Sequence, residues 1–228
     1  KGWIIMPVST VYANSNDCSV AYANQDTWAN VRGDVNSSGF SNNTTMTSNN
    51  AVMNMGLSGR GSTANFCYRS YFEFDLSGLS GTATDATLSL YADNVGTVAD
   101  FEASIFIVQS TALANSSADF NNCFSSGTTL GSILGIAQAS TTEGYCDAGF
   151  NSGGVSAVNN AIGSGTLTIG CLGYYDVTNT APTLDGNYTR IKLTYQNYTG
   201  TSRDPYLRIT TGSAAAATDN ATFFGTNF

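Results

Sequence analysis

The chain has 228 residues, which is long enough for one large domain with a sizeable hydrophobic core. It carries 8 Lys and Arg against 16 Asp and Glu, so its net charge of −8 argues against nucleic acid or an anionic membrane as a partner. It has no histidine and no apolar run near the roughly 18 residues of a membrane span, which excludes His-dependent catalytic triads, His-ligated metals and a spanning helix.

Residues 1–13 form a short apolar segment that is interrupted by Pro7. The simpler interpretation is an edge strand of the domain that follows. The alternative is an exchanged strand that inserts into a neighbouring subunit, with Trp3, Ile4 and Ile5 as its apolar contacts.

Residues 14–65 are rich in Asn, Ser, Thr and Gly and contain only short strand signals. We expect strands at 19–23, 27–32 and 51–57, and a surface loop at 41–50, where the composition is of low complexity.

Residues 66–91 carry the clearest strand signal, because apolar and polar side chains alternate strictly in two runs joined by a Gly- and Ser-rich loop. In the first run Phe72, Phe74 and Leu76 share one face, while the opposite face holds Cys67, Arg69, Tyr71, Glu73 and Asp75. Alternation of this kind predicts one face in a core and the other in water.

The rest of the chain repeats this pattern more weakly, with strands predicted at 103–108, 133–139, 166–171, 174–178, 188–195 and 206–210. A helical turn is expected within 111–123, and a short helix at 153–163 with Gly163 as its C-terminal cap. The predicted fold is all-β: an antiparallel, jelly-roll-type β-sandwich with one or two short helices, formed by 14–211 as a single domain. Its core should contain Phe72, Phe74, Leu76, Leu88, Leu90, Ile105, Ile107, Leu167, Ile169, Ile191, Leu193, Leu207 and Ile209.

Four segments, RSYFEFDLSGL (69–79), DATLSLY (85–91), YYDVT (174–178) and DPYLRIT (204–210), occur in the order seen in DNRLRE-type domains. The chain resembles these secreted β-sandwiches, which are related to carbohydrate-binding-module jelly rolls, over about 66–211. Its central part, 113–163, looks more like a branch found in virion appendage proteins of phages. The resemblance implies a packing framework and carries no catalytic residues.

The five cysteines lie far apart, with no CxxC pair, so a structural zinc site is not expected. One interpretation is a disulfide between Cys123 and Cys146, which bracket a 22-residue excursion, in an oxidising compartment. The other is five reduced cysteines that act as small buried hydrophobes.

Candidate chemistry is sparse. Glu73 and Asp75 share a strand face beside Arg69, which favours solvated carboxylates over an acid/base pair, and we expect no enzymatic activity. No metal or other cofactor is assigned, although calcium stays open because hard oxygen ligands occur at Asp93, Asn94, Asp100, Glu102, Asp176 and Asp204. Aromatic side chains that would stack on a glycan are Tyr188, Tyr206 and Trp28.

Residues 212–228 comprise a linker of small residues and an apolar C-terminal strand. Phe223, Phe224 and Phe228 are its expected anchors, either on the same domain or on another copy of the chain. Two functions therefore remain. The first is a self-associating structural subunit of an extracellular or virion-surface assembly, such as a fibre, appendage or surface coat. The alternative is a carbohydrate- or receptor-binding module for host-surface or matrix glycans.

Overall fold

Two long strands with alternating side chains organise the fold. The computed structural model describes residues 6–24, 27–33, 39–42, 52–59, 65–95, 103–114, 116–125, 129–140, 142–163, 165–182, 188–194 and 202–212. Within these residues the chain forms an antiparallel β-sandwich with three short α-helices, which confirms the predicted all-β class. The jelly-roll pattern of connections stays a prediction.

The elements in chain order are β1 (Val8–Tyr12), β2 (Cys18–Asn24), α1 (Trp28–Gly33), β3 (Gly39–Asn42), β4 (Val52–Gly59), β5 (Asn65–Asp75), β6 (Thr82–Val95), β7 (Ser104–Gln109), a 3-10 helix (Ser117–Asn121), β8 (Phe124–Ser125), β9 (Thr129–Leu130), β10 (Ile133–Gln138), β11 (Gly144–Gly149), α2 (Ser152–Ala161), β12 (Thr166–Gly173), α3 (Tyr174–Thr178), β13 (Tyr188–Thr194) and β14 (Tyr206–Gly212). Strand β11 was not predicted from the sequence.

The two long strands, β5 and β6, each pair with two successive partners along one edge. Strand β5 pairs with β4 through its N-terminal half and with β12 through its C-terminal half, while β2 lies on its other edge. Strand β6 pairs with β14 and then with β13, while β11 lies on its other edge. The register of β6 shifts against both β14 and β13, and bulges of this kind bend a strand. One continuous sheet is thereby folded into two layers, β1-β14-β6-β11 and β10-β7-β12-β5. Strands β13 and β4 connect the two layers, because they pair in series between β6 and β5.

The space between the layers is the main core, and all thirteen residues predicted to be buried lie in it. Helix α2 packs against this core through Ala157, Val158 and Ala161. It begins at Asn151, whose side chain accepts a hydrogen bond from the Gly154 N–H, and it is followed by Gly163 at φ +79°. The predicted helix and its terminal glycine are therefore confirmed.

A second cluster, which we call the outer core, covers the opposite face of β5, β12 and β7. It contains Cys67 and Tyr71 of β5, which were predicted to face water and are fully buried. Arg69 between them is also fully buried. The prediction was wrong here because helices α1 and α3 and the 3-10 helix pack over this face. Among the outward residues of β5 whose burial is described, Glu73 and Asp75 are the ones that reach solvent.

Two of the strands predicted from residue type are helices. Of the strand predicted at 27–32, residues 28–32 fall in α1, where Trp28 and Val31 are three positions apart and both contact the outer core. Residues 174–178 form α3, in which the Thr178 hydroxyl donates to the Tyr174 carbonyl at 2.9 Å. Asn179 then ends α3 in the left-handed conformation, at φ 53°. Packing against the outer core overrides the strand preference of the aromatic and β-branched residues.

The expected Cys123–Cys146 disulfide is wrong, because all five cysteines are free and buried. Cys146 belongs to the main core and Cys123 to the outer core, so the sheet separates them. Cys123 packs on β12 at Gly170, where a Cβ atom would overlap its sulfur. The alternative interpretation, reduced cysteines as small buried hydrophobes, is the observed one.

We expect a thiol reagent to react slowly with the native protein and to titrate five thiols in denaturant. Burial raises the pKa of Cys123 and Cys146 to about 12 and raises the pKa of the other three thiols further, so little reactive thiolate forms at neutral pH. Fewer than five thiols in denaturant without reductant would contradict the assignment of free cysteines.

Replacing Phe74 with alanine should lower the free energy of unfolding by about 3–5 kcal/mol, since the ring is fully buried in the main core. Ile136→Ala on β10 is the matched control, because Ile136 is 51% exposed and should change stability by about 0.5 kcal/mol or less. Urea denaturation followed by tryptophan fluorescence measures both variants. Equal effects of the two substitutions would contradict the core assignment.

Candidate functional site

Four tyrosines meet on the outer face of the β1-β14-β6-β11 layer. Strand register places Tyr12 of β1 opposite Tyr206 of β14, and Tyr91 of β6 opposite Tyr145 of β11. Ring centroids are 5.9 Å apart for Tyr12–Tyr206, 5.3 Å for Tyr206–Tyr145 and 5.1 Å for Tyr145–Tyr91, each in an edge-to-face arrangement. We call these four residues the tyrosine cluster.

A small residue beneath the rings lets the cluster close. Ser89 of β6 lies opposite Tyr206, and by strand alternation with the buried Leu88 and Leu90 it points to the outer face. It is nevertheless fully buried. The rings of Tyr145 and Tyr206 belong to strands on either side of β6 and meet across it, which a larger side chain at position 89 would obstruct. The Ser89 hydroxyl donates to Asp147 Oδ1 at 2.6 Å.

Charged side chains form a rim at one end of the cluster. The Arg203 guanidinium lies 4.8 Å from the Tyr91 ring centroid and donates to Asp93 Oδ1 at 2.9 Å. It also forms an ion pair with Glu143, which accepts a hydrogen bond from the Tyr91 hydroxyl at 2.9 Å. Arg203 is therefore already neutralised by two carboxylates, and its orientation over Tyr91 is fixed by them.

The hydroxyl groups of Tyr91 and Tyr145 are committed as donors. Tyr145 donates to the Asp204 main-chain carbonyl at 3.1 Å, and burial is the main cause that raises the Tyr145 pKa to about 12. The neighbouring Asp204 carboxyl is buried, which raises its pKa to about 6. At neutral pH Tyr145 is therefore a neutral phenol.

The structure separates the three residues predicted to contact a glycan. Tyr206 belongs to the tyrosine cluster, whereas Trp28 lies on α1 against the outer core. The Tyr188 side chain lies outside the described residues. Sequence reasoning missed Tyr12, Tyr91 and Tyr145 as members of the cluster. The signal for Tyr145 was the alternation of Tyr145, Asp147 and Gly149 with Cys146, Ala148 and Phe150, which went unused.

Strand β1 is the last strand on its side of the sheet, and no strand in the described part of the chain pairs with its other edge. It pairs with β14, and two of the hydrogen bonds to that chain are Ala13 N–H to the Pro205 carbonyl and Thr211 N–H to the Pro7 carbonyl. Since hydrogen-bonded and non-hydrogen-bonded pairs alternate, Val8, Thr10 and Tyr12 direct their main-chain N–H and C=O groups away from β14. We call these groups the open edge of β1. The expectation that 1–13 contains an edge strand is met by Val8–Tyr12.

Apolar side chains accompany the open edge. Met6 is 50% exposed and Val8 is 57% exposed, and Tyr12 at the other end of β1 is 44% exposed. The predicted assembly contacts themselves, Trp3, Ile4, Ile5, Phe223, Phe224 and Phe228, lie outside the described residues.

The buried Arg69 forms the most extensive polar network of the outer core. It bonds both carboxylate oxygens of Asp176 at 2.7 and 2.9 Å, together with the Phe120 carbonyl, the Asn121 side chain and the Arg32 carbonyl. The rings of Phe120 and Phe124 lie 4.0 and 4.3 Å from the guanidinium carbon. All five N–H groups of the guanidinium are satisfied, which joins β5, α1, α3 and the 3-10 helix. This arrangement indicates a structural role for Arg69, which holds these elements together.

The remaining sequence candidates are dispersed. Asp176 pairs with Arg69 and Asp93 with Arg203, and Asp100 and Glu102 lie outside the described residues. Among the residues that the structure describes, no three His, Cys, Asp or Glu side chains gather as a metal-binding group. Glu73 accepts hydrogen bonds from Asn14 and Asn16 at 2.7 Å each, and Asp75 accepts two from Ser77, which lower its pKa. Arg69, which was expected beside these carboxylates at the surface, is buried in the outer core.

Comparison with protein-family models and with curated proteins finds no match for this chain. The resemblance to DNRLRE-type domains therefore stays a hypothesis based on the four sequence motifs. None of the helices in the described part of the chain has the length and apolar character needed to cross a membrane.

Replacing Asp176 with alanine should lower the free energy of unfolding by about 3–5 kcal/mol, because it leaves the buried Arg69 charge unpaired. Asp93→Ala is the control, since it removes a carboxylate from the partly exposed Arg203 pair and should cost about 1 kcal/mol or less. Chemical denaturation measures both. A loss for Asp176→Ala no larger than that for Asp93→Ala would show that the buried pair does not fasten the outer core.

Proposed function

We propose that this chain is a non-enzymatic structural subunit of an extracellular or virion-surface assembly, which self-associates by strand addition at the open edge of β1. The observation that carries the proposal is the row of outward-directed main-chain groups at Val8, Thr10 and Tyr12. Such a row is a template for another strand, because each N–H and C=O offers a hydrogen bond in register.

The open edge lacks the features that usually protect sheet edges. Natural edges are blocked by charged side chains, proline or bulges, and Val8–Tyr12 contains no charged residue, no proline and an unbroken register with β14. The exposed Met6 and Val8 side chains add apolar contact area at the start of the same strand. These properties favour occupation of the edge in an assembled state.

The proposed donor is the C-terminal segment 213–228 of a neighbouring copy. It holds Phe223, Phe224 and Phe228 and a single charged residue, Asp219. Strand β14 ends at Gly212, immediately before this segment in the sequence, and β1 lies between β14 and the open edge. A segment from another copy reaches the edge without crossing β1. Phenylalanines that share one face of the added strand would pack against Met6 and Val8.

Support for an extracellular or virion setting comes from the sequence. Charged residues make up only 11% of the chain, and the resemblance is to secreted and virion sandwiches. Because all five cysteines are free, they give no support for an oxidising compartment. A structural role fits Glu73 and Asp75, whose hydrogen bonds tie Asn14, Asn16 and Ser77 to the C-terminal end of β5.

Replacing Thr10 with proline should abolish self-association while the domain stays folded. Proline removes an N–H that points to the open edge and leaves the ladder with β14 intact, and such prolines are tolerated on edge strands. Thr10→Val is the matched control, because it keeps the N–H and the strand preference. Sedimentation velocity measures assembly, and circular dichroism with thermal unfolding verifies the fold.

A second variant tests the donor in the full-length chain. Phe223, Phe224 and Phe228 replaced together by serine should give monomers, as Thr10→Pro does. Mixing the two variants should restore limited association, since one retains the donor and the other the open edge. Wild-type protein that stays monomeric at high concentration, or assembly that persists in both variants, would refute strand addition.

A further inference from the structure

We infer that the tyrosine cluster is a binding surface for neutral saccharides. Tyr12 and Tyr145 are 44% and 40% exposed, while Tyr206 and Tyr91 between and beside them are half-buried and hold them in place. Aromatic rings fixed by their neighbours present a rigid apolar surface with little conformational entropy to lose on binding. A pyranose ring offers the complementary surface, with C–H groups on its face and hydroxyl groups around its edge.

The polar groups around the rings can accept hydrogen bonds from the hydroxyl groups of a ligand. The Tyr91 and Tyr145 hydroxyls already donate to Glu143 and to the Asp204 carbonyl, respectively. Asp147 accepts one hydrogen bond from Ser89 and is otherwise exposed, and Glu143 is also exposed. Carboxylates accept only, and each has capacity for further bonds. The rim therefore supplies acceptors for the O–H groups of a saccharide that stacks on the rings.

Charge determines which saccharides fit. Asp93, Glu143 and Asp147 surround the cluster, and Arg203 is paired with the first two of them. Arg208 of β14 is an exposed cation on the same face. The chain as a whole carries −8. Carboxylate or sulfate groups on a saccharide would be repelled by this balance, so neutral hexopyranose chains are the favoured class.

Proline-rich peptides also bind to aromatic surfaces, but this one suits them poorly. A polyproline helix presents main-chain carbonyls, which need donors, and it has no N–H or O–H group at its prolines. The donors of Tyr91 and Tyr145 are occupied, and the exposed side chains Glu143 and Asp147 are acceptors. The hydrogen-bonding character of the surface thus favours a saccharide.

Affinity electrophoresis in native gels that contain galactomannan, xyloglucan or dextran tests the inference, with alginate as the acidic comparison. At least one neutral polysaccharide should retard the wild-type protein, and alginate should not. Tyr145→Ala and Tyr12→Ala should each weaken the association constant about tenfold, since each removes one stacking ring. Ile136→Ala, an exposed apolar residue of β10 outside the cluster, should bind as wild type.

Thermal unfolding of each variant establishes that it is folded before its retardation is interpreted. If Tyr145→Ala does not fold, Tyr12→Ala decides the outcome, because Tyr12 contacts only Tyr206 among the rings of the cluster. Absence of retardation by all three neutral polysaccharides would overturn the inference. So would retardation by alginate alone, equal retardation of the tyrosine variants and wild type, or binding of a proline-rich peptide without any polysaccharide.

Discussion

Strand β5 must satisfy two hydrophobic clusters at once, and the rest of the structure depends on how it does so. Its inward residues Phe72 and Phe74, with Leu76 directly after the strand, belong to the main core. Its outward residues Cys67 and Tyr71 belong to the outer core. Arg69 lies on the same outward face, where its charge would be costly without a partner. The bidentate bond to Asp176 meets this need and at the same time fixes α3 against the sheet. A polar residue in the outer core therefore determines where three covering elements attach.

The sequence predicted those parts of the fold in which one periodicity dominates. The main core followed from period-two alternation, because burial between two layers leaves that pattern intact. The same reasoning failed for residues 67–71. Alternation identifies the two faces of a strand, but it does not show whether other elements of the fold cover the more polar face. Arg69 looked like a surface residue because its partner Asp176 is more than 100 positions away. The helices α1 and α3 were missed because their residues favour strands and only tertiary contacts make them helical.

The tyrosine cluster shows the same limit for the candidate site. Each tyrosine is an ordinary outward residue on its own strand, and the cluster exists only through the register of β1, β14, β6 and β11. Sequence reasoning identified Tyr206 because its strand was recognised, and missed Tyr145 because β11 was not. Ser89 is equally uninformative in isolation. Its importance comes from the two rings that meet over β6, which no local pattern of the sequence records.

The five unpaired cysteines make the fold independent of the redox state of its surroundings. None of the contacts that hold the two layers or the outer core together requires an oxidant, and each thiol is shielded by burial. The chain can therefore reach its native structure in the reducing interior of a cell and keep it after release, without a disulfide isomerase on either side. The proposed role in an assembly that is built inside a cell and exposed outside it is compatible with that property.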